Sequence, residues 1–90
     1  MPKILTYKNL IFFLVSFDLT ERLHLHIFSK NKSREAAAKI WLNPIEVFER
    51  GGLTKQELNM ALTIMTDNTE KIEKAISAFK QGKKIKTIKL

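Results

Sequence analysis

Apolar residues follow two different periods along this chain, and the change falls near residue 43. Before it, four short runs rich in aliphatic and aromatic residues, Ile4–Tyr7, Leu10–Phe17, Arg22–Phe28 and Ala37–Leu42, are separated by polar stretches. That composition and spacing predict β-strands. Lys8-Asn9 makes a two-residue hairpin turn, with Asn9 tolerating positive φ, while Asp18–Glu21 and Ser29–Glu35 supply longer loops. Links this short favour an antiparallel meander. Leu10–Val15 is apolar at every position, which predicts a strand buried on both faces.

After residue 43 the period becomes helical. Asn43 is a good N-cap and Pro44 suits the first helical position, so a short helix is expected over 44–50, closed by Gly51 and Gly52. Thr54-x-x-Glu57 is a capping box ahead of an apolar stripe. Leu58, Leu62, Met65, Thr69, Ile72, Ile76 and Phe79 alternate spacings of four and three, one face of a helix. Asp67-Asn68-Thr69 is locally poor helix, and Asp67 or Asn68 could cap a new one. The reading leans to one long helix, kinked or straight, over two helices broken at that point. Gly82 ends it, and 83–90 is a basic tail with Ile85, Ile88 and Leu90 as anchors. The expected fold is α+β: an antiparallel four-stranded β-meander, a short helix, and a long C-terminal helix packed on the sheet. Residues 1–90 make one small domain.

Composition narrows the function classes. The absence of cysteine excludes disulfide staples and cysteine-based zinc sites and fits a reducing cytoplasm. Lys3 and Lys8 before the apolar run imitate a signal peptide, but no small-residue cleavage site follows, and the run is too short to span a bilayer. No membrane association and no cofactor are expected. A formal net charge of +7 favours anionic partners, RNA, DNA or an acidic protein. Lys80, Lys83, Lys84, Lys86 and Lys89 crowd the last eleven residues without one acid. Such a run is either a solvated end or an electrostatic contact, and Lys83, Lys84 and Lys86 are the binding candidates.

The sharpest chemical candidate is a histidine pair. Period-two alternation in Arg22–Phe28 puts Leu23, Leu25 and Ile27 on one face and Arg22, His24, His26 and Phe28 on the other. If the next strand folds back around Lys32-Ser33, Leu25 meets Ile40, His26 meets Lys39 and His24 meets Trp41. Arg22, His24, His26, Lys39 and Trp41 would then share a small surface. Two imidazoles near cations, with depressed pKa values, could share acid–base work on a ribose hydroxyl, a metal-independent ribonuclease chemistry. The same groups could bind nucleic acid, Trp41 stacking on a base. Metal binding is the weaker alternative, since only the remote Asp18 and Glu21 could complete a ligand set, and no metal is expected. The structural alternative packs both histidines under the C-terminal helix or tail.

Several segments in order resemble one family of small bacterial proteins, the domain of unknown function 4160. The opening Met1-Pro2-Lys3-Ile4-Leu5, the aromatic Phe12-Phe13, the His24-Leu25-His26 strand and Ala38-Lys39-Ile40-Trp41-Leu42-Asn43-Pro44 carry the likeness. Gly52-Leu53-Thr54-Lys55-Gln56-Glu57-Leu58 is similar to the family's helix start, and a Gly followed by Ile and Leu closes the chain as in some members. The chain departs at Arg22-Leu23, where the family has a proline pair, and near Ala75–Ser77, where it lacks an aromatic. The resemblance implies a component of a toxin–antitoxin-type gene pair, bound by a small acidic partner and acting on RNA or translation. It supplies no catalytic residues. The alternative is a non-enzymatic module binding protein or nucleic acid.

Overall fold

The alternating N-terminal half forms the strands it predicts. The computed structural model describes residues 3–14, 23–31, 36–42 and 44–90. In it β1 (Lys3–Tyr7), β2 (Leu10–Leu14), β3 (His24–Ser29) and β4 (Ala38–Trp41) form an antiparallel meander. Two further strands extend it. β5 (Glu46–Glu49) pairs antiparallel with β4, and β6 (Ile88–Lys89) pairs parallel with β1. The sheet is therefore mixed and six-stranded, in the order β5-β4-β3-β2-β1-β6. With α1 (Lys55–Asp67) and α2 (Thr69–Lys80) the fold is α+β.

β5 corrects the helix expected over 44–50. Pro44 and Ile45 form a turn, and the chain returns along the open edge of β4. Val47 pairs with Ile40, Glu49 pairs with Lys39, and the Phe48 ring reaches Trp41. Edge pairing with these β-favouring side chains outweighs the local cap signal. The proposed N-cap, Asn43, lies outside the described residues, as do Val15–Phe17 and Arg22 at the expected strand ends.

The paired glycines also serve a different purpose. Gly51 has φ +61, and a Cβ there would strike the Ala36 carbonyl oxygen and come within 2.6 Å of the Ala37 carbonyl carbon. Gly52 donates its N–H to the same Ala36 oxygen. The pair lets two backbones pass closely between β5 and α1, and closes no helix. At the first hairpin, positive φ falls on Lys8 (φ 50) and not on Asn9.

The capping box forms as read, Thr54 N–H to Glu57 Oε1 at 2.9 Å and Glu57 N–H to Thr54 Oγ1 at 3.1 Å. The long helix is two helices. Asn68 departs from helical φ/ψ (φ −120, ψ 21), while its N–H still reaches the Ile64 carbonyl and its C=O still accepts from Ile72. The Thr69 hydroxyl donates to Met65 O at 2.8 Å, the kind of side-chain-to-backbone bond that bends helices. At the far end, Gly82 (φ +77) closes α2 in a Schellman motif, Gly82 N–H to Phe79 O and Lys83 N–H to Ala78 O.

The core lies between the helices and one sheet face. Ile4, Leu5, Phe12, Leu14, Leu25, Ile27 and Ile40 meet Ala61, Ile64, Met65, Ile72 and Ile76. A smaller cluster, Ile11, Phe13, Phe28 and Ala37, stands apart from it. β2 is buried at all five positions, as its unbroken apolar run requires. Ile85 and Ile88 of the tail pack against the main core, as their spacing suggests.

Removing the backbone freedom at Gly51 should be costly. Gly51→Ala is expected to destabilise by at least about 2 kcal/mol, combining left-handed strain with overlap. Gly82→Ala, with open space around it, should cost about 1 kcal/mol. Denaturant midpoints of the two variants check this ordering, and equal values would reject the close-approach role. Thr54→Ala should cost about 1 kcal/mol by the same measurement.

Candidate functional site

Period-two alternation on β3 sends Leu25 and Ile27 into the core and His24 and His26 to the opposite face. The β3–β4 register is the one the loop midpoint predicts: His24 opposite Trp41, Leu25 opposite Ile40, His26 opposite Lys39. His24, His26, Lys39 and Trp41 are thereby brought together. Arg22, the fifth expected member, lies outside the described residues.

The surface they make is an aromatic row crossing four strands. Ring centroids lie 5.3 Å apart for Phe28–Phe13, 5.5 Å for Phe13–His26, 5.1 Å for His26–His24, 5.1 Å for His24–Trp41 and 5.0 Å for Trp41–Phe48. Tilted and edge-on pairs at such separations contribute roughly 0.5–1.5 kcal/mol each beyond their buried area. The row begins buried at Phe13 and Phe28 and ends at Phe48, which is 60% exposed. Neither histidine packs under a helix, because the helices cover the other face. Phe48 was missed because residues 44–50 were read as helix. Read as a strand, they would have shown an exposed aromatic beside Trp41.

Its electrostatics are less basic than the sequence suggests. Lys39 Nζ sits 3.3 Å from Glu49 Oε2, so its charge is matched locally. The pKa of His26 is lowered to about 4, first by burial, then by His24 and Lys39, with Glu49 opposing. His26 is therefore neutral at neutral pH and can there accept a proton but not donate one as an imidazolium. His26 would therefore not be the acid of such a pair. Among the described residues no three histidine, aspartate or glutamate side chains gather at metal-binding distance, and Asp18 and Glu21 lie outside them.

The other predicted residues, Lys83, Lys84 and Lys86, precede β6, the strand at the far edge of the sheet. All three are exposed. Residues 1–17 and 74–90 contain eight lysines and no Asp or Glu. Parallel pairing of β6 with β1 brings these two acid-free segments together, reinforced by Leu90 N–H to Thr6 O (3.0 Å) and Thr87 Oγ1 to Lys3 O (3.2 Å). Lys3, Lys8, Lys83, Lys84, Lys86 and Lys89 are exposed along or leading to this edge. Lys3 and Lys8 went unremarked as site residues because only the pairing of chain ends makes them neighbours of the tail.

Residues 9–75 match the family described as a domain of unknown function (DUF4160). The chain belongs to this family. Its matched span includes β2 through most of α2, with the histidine strand, but not β1, β6 or the lysine-rich tail. Curated proteins and solved structures offer no significant match. No helix among the described residues of this DUF4160 chain is long and apolar enough to cross a membrane.

The depressed His26 pKa has a stability consequence. An unfolded histidine takes up its proton near pH 6.5, whereas folded His26 does so only near 4. Between those values the unfolded state binds more protons, so the contribution of His26 to native stability falls as pH drops from about 6.5 to about 4 and then levels off. Above pH 7 the group contributes no pH dependence. Wild type should lose more stability over that window than His26→Gln, measured by denaturant midpoints. Parallel curves would contradict the buried, cation-flanked environment.

Proposed function

We propose that the protein binds single-stranded RNA along its lysine edge, as the basic member of a toxin–antitoxin-type pair whose small acidic partner covers that same edge. The observation that carries this is the meeting of two acid-free segments at β1 and β6. Exposed lysines in acid-free segments attract phosphates through counterion release, with no requirement for sequence. An acidic protein would satisfy the same charges and compete with RNA. The reading is one of binding, since His26 is neutral and its strand stands about 14 Å from β6 at normal strand spacing.

A second reading rests on the β5 end of the sheet. Phe48 (60% exposed) packs against Trp41, with Lys39 and Glu49 beside them, while Val47 (40% exposed) stands opposite Ile40 on the same edge strand. An apolar centre with a charged rim is the anatomy of a protein interface. A non-enzymatic protein-binding module would use this patch.

Filter binding of a single-stranded RNA over a salt series tests the first reading. Affinity should fall steeply with salt, and replacing Lys83, Lys84 and Lys86 by alanine should flatten the log–log slope by up to about three units. His24→Ala with His26→Ala should leave that slope unchanged. Absence of affinity at low salt would overturn RNA binding and leave the aromatic patch and a protein partner as the working surface.

A further inference from the structure

Beside the lysine edge lies a groove of about 660 Å³, between α1 and the ends of β1 and β6. That volume is in the range of small-ligand sites. Its apolar surface comes from Tyr7, Met60, Ile64 and Leu90, and α1 presents Asn59, Thr63 and Asp67 along it. These three are spaced by four, so they line up on one helical face. The groove is polarised. Asp67 supplies a carboxylate on the helix wall; Lys8, whose Nζ lies 5.4 Å from the Tyr7 ring centroid, and Lys89, next to Leu90 in the chain, stand outside the lining, beside its strand wall.

A nucleotide has the matching polarity, with phosphate at one end and hydrogen-bond donors on the base edge at the other. We infer that this groove takes one unstacked base of a bound RNA strand, with its phosphate on the lysine edge, and that Asp67 favours guanine. Guanine presents a ring N–H and an amino group side by side, two donors that a single carboxylate can accept together. The Asn59 amide can meet the acceptor edge of the base, and the Tyr7 ring offers an aromatic wall. The Thr63 hydroxyl donates to Asn59 O at 3.1 Å, which leaves its oxygen turned to acceptance. Uracil, with one such donor, fits the carboxylate less well. This inference rests on the RNA-binding reading and adds to it a site and a base preference.

Amide chemical-shift titrations of the full chain with guanosine monophosphate, uridine monophosphate and inorganic phosphate separate the contributions. Guanosine monophosphate should move residues 59–67 of α1 together with Lys8 and Lys89, and should bind at least about five-fold tighter than the uridine nucleotide, roughly the discrimination of one good polar contact. Phosphate should move the lysine edge alone. Asp67→Asn, nearly isosteric, should bring the two nucleotides to parity. Thr63→Trp, which fills the groove, should abolish the shifts on α1 while the salt-dependent RNA affinity persists. If both nucleotides and phosphate move the same lysines and nothing on α1, or if Asp67→Asn leaves the preference intact, the groove inference fails while the RNA reading stands. Shifts on α1 without any RNA affinity would support the groove as a nucleotide site and overturn the RNA reading instead.

Discussion

The antiparallel register between β3 and β4 is the constraint on which the remaining structure depends. With Leu25 opposite Ile40, the aliphatic side chains of both strands face the helices, and His24, His26, Lys39 and Trp41 share the other side. A slip of one residue would turn one strand over, putting either the two imidazoles of β3 or Lys39 and Trp41 of β4 into a core that offers their polar groups no partners. The cost of burying those polar groups makes the register unique. Once it is set, β5 finds both a backbone edge and a Trp41 ring to pack against, and the helices find a continuous apolar face.

Charge and apolar surface are segregated to opposite edges of the sheet. At the β5 edge, Lys39 is matched by Glu49, and Val47 and Phe48 stay exposed. At the β6 edge, lysines from both ends of the chain accumulate without carboxylates in their segments. A net charge of +7 is therefore a poor description of either surface. Long-range attraction of a polyanion acts on the whole molecule, but close contact is governed by the local balance within about one Debye length. That balance differs between the two edges, with lysines in acid-free segments at β6 and a lysine–glutamate pair beside exposed Val47 and Phe48 at β5.

The histidine pair illustrates how packing changes chemical potential. His26 is held between Phe13, His24 and Lys39, surroundings that penalise its charged form. The result is an imidazole that behaves as a flat, neutral ring over the physiological range. It forms one link of the aromatic row, between Phe13 and His24.

Much of this was legible along the chain. Short runs of aliphatic and aromatic residues located β1 to β4, the loop midpoint set the β3–β4 register, and Thr54-x-x-Glu57 marked the start of α1, because each depends on residues close in sequence. The anchors Ile85 and Ile88 were visible for the same reason. What sequence could not decide were features created by distant partners. Residues 46–49 carry cap and helix signals nearby, yet the free edge of β4 makes them a strand. Gly51 needs its positive φ because the backbone at Ala36 and Ala37 passes against it, a neighbour no local pattern announces. The matching of Lys39 by Glu49, the union of the two lysine-rich ends and the groove under α1 all arise from pairings between segments far apart in the chain. Local periodicity determined which side chains share a face; only tertiary pairing decided which faces meet, because that choice depends on the burial and edge-pairing energies of the assembled sheet.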